Sequence, residues 1–266
     1  MNDYLVDIGV NITHTSFDLD RDIVIKRAQN LDVALLIFTG TSVLGSRQAL
    51  ELATQYNNCY STAGVHPHDA KNFGVKSYDE LKSIITSSKV VAVGETGLDF
   101  NRDYSPRNIQ EKVFIQQIEL AIELGKPLFC HVRDASQRFL EIINTYRGSI
   151  GRLVVHCFTE DKETLFKYLD LDLHIGITGW ICDERRGTHL HPLVKSIPPN
   201  RLMIETDAPY LLPRTLSSKP KNRRNEPAFL SEVVKTLAKV TKKDCGQIIS
   251  ETTATAKKFF NLDRGE

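Results

Sequence analysis

Short apolar runs alternate with segments of helical periodicity from one end of the chain to the other. Runs of strand character fall at 5–10, 34–39, 59–65, 90–94, 128–132, 153–157, 173–177 and 202–205. Between them, apolar residues recur at the spacing of one helix face, with good examples at 18–30, 44–56, 107–124, 135–146 and 162–169. Pro106 suits the start of the third of these helices and Gly125 its stop. Eight β-then-α units predict an α/β chain folded as a (β/α)8 TIM barrel. Two further helices, at 227–240 and 244–260, follow the eighth strand. Neither a linker nor a low-complexity tract nor an internal repeat interrupts the pattern, so one domain over 1–266 is expected. The stretch 209–226 reads as a long loop with three prolines and a basic cluster. Loops of that length without their own secondary structure are often functional.

Composition narrows the picture only a little. The 266 residues carry 41% apolar and 25% charged side chains, ordinary for a globular protein of barrel size. The formal net charge is +1, from 34 basic and 33 acidic residues. Gripping a long duplex by charge alone calls for a more basic chain, so any nucleic-acid contact must be a local patch. The five cysteines form no C-x-x-C pair and read as reduced thiols of a cytoplasmic protein. The N-terminal segment reads as a strand rather than a signal peptide, and no apolar run is long enough to span a bilayer.

The chemistry-bearing residues sit at strand ends. Glu95 follows VVAVG, His131 follows LFC, His156 follows LVV, and Asp207 follows MIET. In a parallel barrel, C-terminal strand ends share one mouth. Glu95, His131 and His156 make an N2O set for a divalent metal that leaves positions open to water. Asp207 is positioned to bind metal or to take the proton of an attacking water. Glu205, two residues earlier, shares its face and is expected to support a ligand by hydrogen bonding. His66 and His68, after the third strand, are expected to contact substrate. Arg133 leans toward the same mouth as His131. Arg185 and Arg186 after strand seven, with Arg223 and Arg224 after strand eight, would give a positive rim suited to phosphodiesters. Trp180 and Tyr210 are candidates to stack a base. No Walker loop, nucleophile elbow or dinucleotide fingerprint is present, and no organic cofactor is expected.

The segments DIGVN, TAGVHPHD, GETGLDF, HVRDA, HCFT, GITGW and IETDAPY, with RRNEP, together resemble the TatD-type metal-dependent hydrolases, a branch of the amidohydrolase-like barrels. The likeness runs over essentially the whole chain. It implies a cytoplasmic deoxyribonuclease that acts 3′→5′ on single-stranded DNA, extends to RNA, and has a place in DNA repair. The implied cofactor is a divalent metal, Mg2+ first, with Mn2+ and Zn2+ as alternatives. A monomer without membrane association is expected. One departure stands out. Most of the family carries His-x-His on strand one, where this chain has Gly9 and Asn11. Two other readings remain open on sequence: an ester or amide hydrolase on the same barrel, such as a D-aminoacyl-tRNA deacylase, and a nucleic-acid-binding barrel without activity.

Overall fold

The apolar runs become eight strands in a computed structural model that describes residues 4–262: β1 Leu5–Val10, β2 Val33–Phe38, β3 Cys59–Ala63, β4 Val90–Asp99, β5 Leu128–Arg133, β6 Leu153–Val155, β7 His174–Ile177 and β8 Leu202–Ile204. They form one sheet in the order β1 to β8, and a parallel bridge from Val10 to Ala208 joins the segment after β8 to β1. The helices are α1 Arg21–Gln29, α2 Val43–Thr54, α3 Ser77–Ile85, α4 Arg107–Leu124, α5 Ser136–Tyr146, α6 Lys162–Asp170, α7 Leu190–Leu193, α8 Leu230–Thr241 and α9 Cys245–Phe260. This is the expected (β/α)8 fold, with α8 completing the eighth unit and α9 added after it. No described helix is long and apolar enough to cross a membrane.

Most strand bounds fall within two residues of the sequence expectation. β4 is the exception: it runs five residues past Gly94, to Asp99. Glu95 therefore lies inside the strand, not at its end. A register shift between Val93 and Thr96 marks the place where the strand changes course.

Two compact units are present. One comprises Phe38–His156 and Phe166–His174. Here β3, β4, β5 and β6 pair in parallel, with Ala63 beside Val93, Gly97 beside His131 and Cys130 beside Val155. Two glycines let β4 lie this close to β5. A Cβ on Gly94 would meet the Phe129 carbonyl oxygen at 2.2 Å, and one on Gly97 the His131 carbonyl oxygen at 2.0 Å. Both have φ in the positive range, at 144° and 133°, which side-chain-bearing residues rarely adopt. Beneath the strands, Phe114 stacks on Phe139, whose ring meets Tyr168 edge-on. α4 runs from Pro106 to a left-handed Gly125, the start and stop that the sequence expects.

The other unit takes the chain up to Ile37, Cys157–Leu165, and the chain from Ile175 onward. β7 and β8 pair in parallel, with Ile177 beside Ile204. The two C-terminal helices bury Val233, Leu237, Ile248 and Phe259. α9 is capped by the Asp244 side chain at the Gln247 amide, and its Thr253 hydroxyl donates to the Tyr4 carbonyl. The 209–226 stretch holds neither helix nor strand, as expected.

Candidate metal centre and flanking residues

Glu95 is the hub of a cluster of imidazoles. It is 4% exposed. Its Oε1 lies 2.7 Å from His156 Nε2, 3.2 Å from His131 Nδ1 and 3.4 Å from His66 Nε2. His66, Glu95 and His131 each offer a ligand atom within 4.8 Å of the other two. The structure thus places His66, expected as a substrate contact, within this donor set. His156 touches the same carboxylate and stacks on Phe129, with ring centroids 4.8 Å apart.

Asp99 is a site residue that the strand reading missed. Its Oδ2 lies 2.6 Å from His68 Nε2 and 3.3 Å from His131 Nε2. His131 therefore bridges two carboxylates, Glu95 through Nδ1 and Asp99 through Nε2. The available signal was the motif GETGLD itself, in which Glu95, Gly97 and Asp99 alternate along one extended strand.

Two buried glutamines hold these strands in place. Gln110 and Gln117 are seven residues apart and so share a face of α4. Gln117 accepts from the Val65 amide and donates to the Val65 carbonyl, which fixes the chain just before His66. Gln110 does the same for the backbone of Asp99.

The electrostatics follow from crowding. Burial alone would raise the Glu95 pKa, but the imidazoles of His156, His66 and His131 outweigh it and hold the carboxyl well below its usual range. Asp99 is also held low, its partial burial overcome by hydrogen bonds from His131 and His68. Burial pushes His66 down to about 4, leaving a neutral ring with a lone pair. Burial would lower His131 too, but the hydrogen bonds to Asp99 and Glu95 raise it.

The β1 and β8 ends form a second polar group. Asn11 donates its side-chain amide to Asp207 Oδ1 at 2.8 Å. Asp207 sits at φ 55°, and its own amide donates to the Gly9 carbonyl. Glu205 Oε1 accepts from the Cys157 amide at 2.6 Å, so its support reaches the backbone just after His156 in sequence.

Asp7 is fully buried and receives hydrogen bonds from the Thr206 amide and hydroxyl. Burial pushes its carboxyl from the ordinary 3.8 up to about 8, and these hydrogen bonds only partly oppose the rise. The folded protein thus keeps Asp7 protonated while the unfolded chain ionises. The effect on stability is nil below about pH 4, grows more unfavourable up to about pH 8, and is constant above that. The urea midpoint should fall between about pH 5 and pH 8, and Asp7→Asn should flatten that fall. Equal falls in both proteins would refute a protonated Asp7.

The expected arginines divide in two. Arg185 and Arg186 both pair with the buried Asp183 at 3.1 Å, yet their side chains remain 58% and 56% exposed. Arg186 also lies over the Trp180 ring at 4.3 Å. Arg133 lies 4.0 Å from Asp134, and Arg223 is exposed. Arg224 is placed differently. Only 10% exposed, it clamps Asp20 with both terminal nitrogens and also binds Glu226. Its guanidinium braces the RRNEP segment and is not free to grip a phosphate. Among the cysteines, Cys59, Cys130 and Cys182 are buried, while Cys245 is exposed.

A family model described as TatD related DNase matches residues 6–261. The chain is 45% identical over 258 residues to the 3'-5' ssDNA/RNA exonuclease TatD of Salmonella typhimurium, covering 97% of this chain and 99% of that one. It is 47% identical over 259 residues to the protein of the same name from Erwinia billingiae, with 97% and 99% covered. A crystal structure of a TatD family hydrolase from Entamoeba histolytica matches with TM-score 0.87 at 25% identity, over 98% and 99% of the two chains. A TatD homolog from Escherichia coli K12 shares the fold with TM-score 0.88 at 24% identity, over 98% and 99%. With the family pattern running from β1 to the end of α9, the chain belongs to the TatD related DNase family.

Proposed function

We propose that this protein is a metal-dependent 3′→5′ exonuclease acting on single-stranded DNA and RNA. The observation that carries this reading is the His66, Glu95 and His131 donor set at the centre of a chain so similar to named exonucleases. The donors suit a divalent cation: one buried carboxylate and two imidazoles already lie within 4.8 Å of one another. His156, 2.7 Å from the same carboxylate oxygen, is the fourth candidate ligand. Mg2+ is the proposed ion, with Mn2+ next. Bound there, a divalent cation supplies Lewis-acid polarisation of the phosphate and lowers the pKa of water.

The remaining roles belong to the chain itself. Asp207 takes a proton from the attacking water, with Asn11 fixing one of its oxygens. Asp99 sets the ring orientation of His131 and His68 through its Oδ2. Arg133, Arg185, Arg186 and Arg223 offset phosphodiester charge. The reading extends to one domain over 1–266, working as a monomer in the cytoplasm, with DNA repair as its setting.

A metal-by-substrate panel tests the reading. A 5′-labelled single strand should shorten progressively from its 3′ end, faster than duplex DNA, and an aminoacyl ester should stay intact. Rapid cutting of circular single-stranded DNA, or preferred hydrolysis of the ester, would overturn it.

A further inference from the structure

The loop that follows Asp99 is pinned on almost every side. Asp99 Oδ1 accepts from the amides of Asn101 and Arg102 at 3.0 and 2.8 Å. The Asn101 side chain donates to Asp134, and Arg107 pairs with Asp103 while donating to the Phe100 carbonyl. Ser105 is fully buried, donates to the His68 carbonyl at 2.9 Å and accepts from the Lys71 amide at 3.0 Å. Gln110 holds its carbonyl at 2.8 Å. Of the two aromatic rings in this loop, Phe100 is covered by the Arg107 guanidinium at 4.5 Å.

Tyr104 is the other. It is 55% exposed, although the backbone on either side is fixed. Its ring touches His68, with centroids 4.8 Å apart and planes at 64°. His68 in turn lies 2.6 Å from Asp99, which reaches His131. A rigidly mounted, half-open aromatic surface thus stands one side chain away from the candidate metal ligands. Sequence-tolerant nuclease grooves hold single strands by stacking bases on such rings, because every base has a π face. A flexible loop would lose entropy on ordering the ring, and this one is already ordered.

We propose that Tyr104 is the platform on which one base of the bound single strand stacks beside the scissile phosphodiester. The assignment rests on the exonuclease reading above. Stacking on one aromatic ring contributes about tenfold to a hundredfold in affinity. A ring that merely packed on His68 would instead affect turnover.

The test uses Asp207→Asn, which keeps the His66, Glu95 and His131 donors and removes the proton acceptor, in the presence of Mg2+. Fluorescent oligo(dA) is titrated with an abasic sugar placed in turn at each of the three 3′-terminal positions. At one position, loss of the base should weaken binding about tenfold or more. In Asp207→Asn with Tyr104→Leu, the complete strand should bind that weakly and the abasic penalty should vanish. Tyr104→Trp should restore both. In the otherwise wild-type enzyme, Tyr104→Leu should raise KM and leave kcat nearly unchanged. Penalties that survive Tyr104→Leu, or that never arise, overturn the platform. A fall in kcat at constant KM also overturns it, assigning Tyr104 to positioning His68. A wild-type enzyme that leaves the strand intact defeats the exonuclease reading itself.

Discussion

Glu95→Gln should lower turnover on single-stranded DNA by about a thousandfold or more while leaving the fold in place. The change keeps the shape of the side chain and removes its charge. That charge has specific work in this site. One carboxylate oxygen lies within 3.4 Å of three imidazole nitrogens, in a position only 4% exposed. An amide presents one neutral oxygen and one N–H pair, so it binds a divalent cation poorly and turns a donor toward rings that already donate. Lewis-acid assistance contributes several kcal/mol to such reactions, and each ~1.4 kcal/mol is a factor of ten in rate. Folding is affected less, because replacing a buried charge by its isostere also removes a desolvation cost. Steady-state turnover with a urea melt on the same preparation separates the two effects. Turnover within tenfold of wild type would remove Glu95 from the metal centre.

Much of this arrangement can be read in the sequence, and the gaps have physical causes. The strands are legible because their apolar runs are short, sharply bounded and separated by amphipathic helices. β4 is truncated in that reading because Gly94 and Gly97 interrupt the apolar pattern. Those glycines are present because β5 passes too close for any side chain, a tertiary reason that no local pattern shows. Asp99 is missed for the same cause: with the strand ended at Gly94, it reads as a loop acid rather than the next inward position.

His66 stands apart from the strand pattern. β3 ends at Ala63, and the chain beyond it is held at Val65 by Gln117, 52 residues further on. Arg224 shows the limit of charge runs as a guide. Its partners are Glu226 and Asp20, and the second of these is 204 residues away. Glu95, His131 and His156 each follow an apolar run, and the strand order brings both imidazoles to the Glu95 carboxylate.

Stripping divalent metal should abolish hydrolysis outright, yet the protein should remain folded. Both halves follow from the same contacts. The donors His66, Glu95 and His131 already lie close together, so the ion is not needed to assemble them. Without it, Glu95 is held by three imidazoles, and His131 spans Glu95 and Asp99. The apo site is therefore a hydrogen-bonded network rather than an exposed cluster of like charges. Restoring the ion stabilises the folded state by mass action, about 2.7 kcal/mol at a hundred times its Kd. For a chain of this size that is a rise in Tm of roughly 5–10 °C. EDTA followed by gel filtration should leave the far-UV circular dichroism unchanged and lower Tm by that amount. Adding back Mg2+ or Mn2+ should return both Tm and exonuclease activity over the same concentration range. Zn2+ should bind more tightly, because imidazole is a strong Zn2+ ligand, so comparing the activities it and Mg2+ restore identifies the working ion. Full activity in protein shown by atomic emission to hold well under one ion per chain would sink the metal assignment. Activity that returns at metal concentrations far above those restoring Tm would instead reveal a second, weaker ion. Asn11 and Asp207, already hydrogen-bonded to each other at 2.8 Å, would be the first residues to test for it.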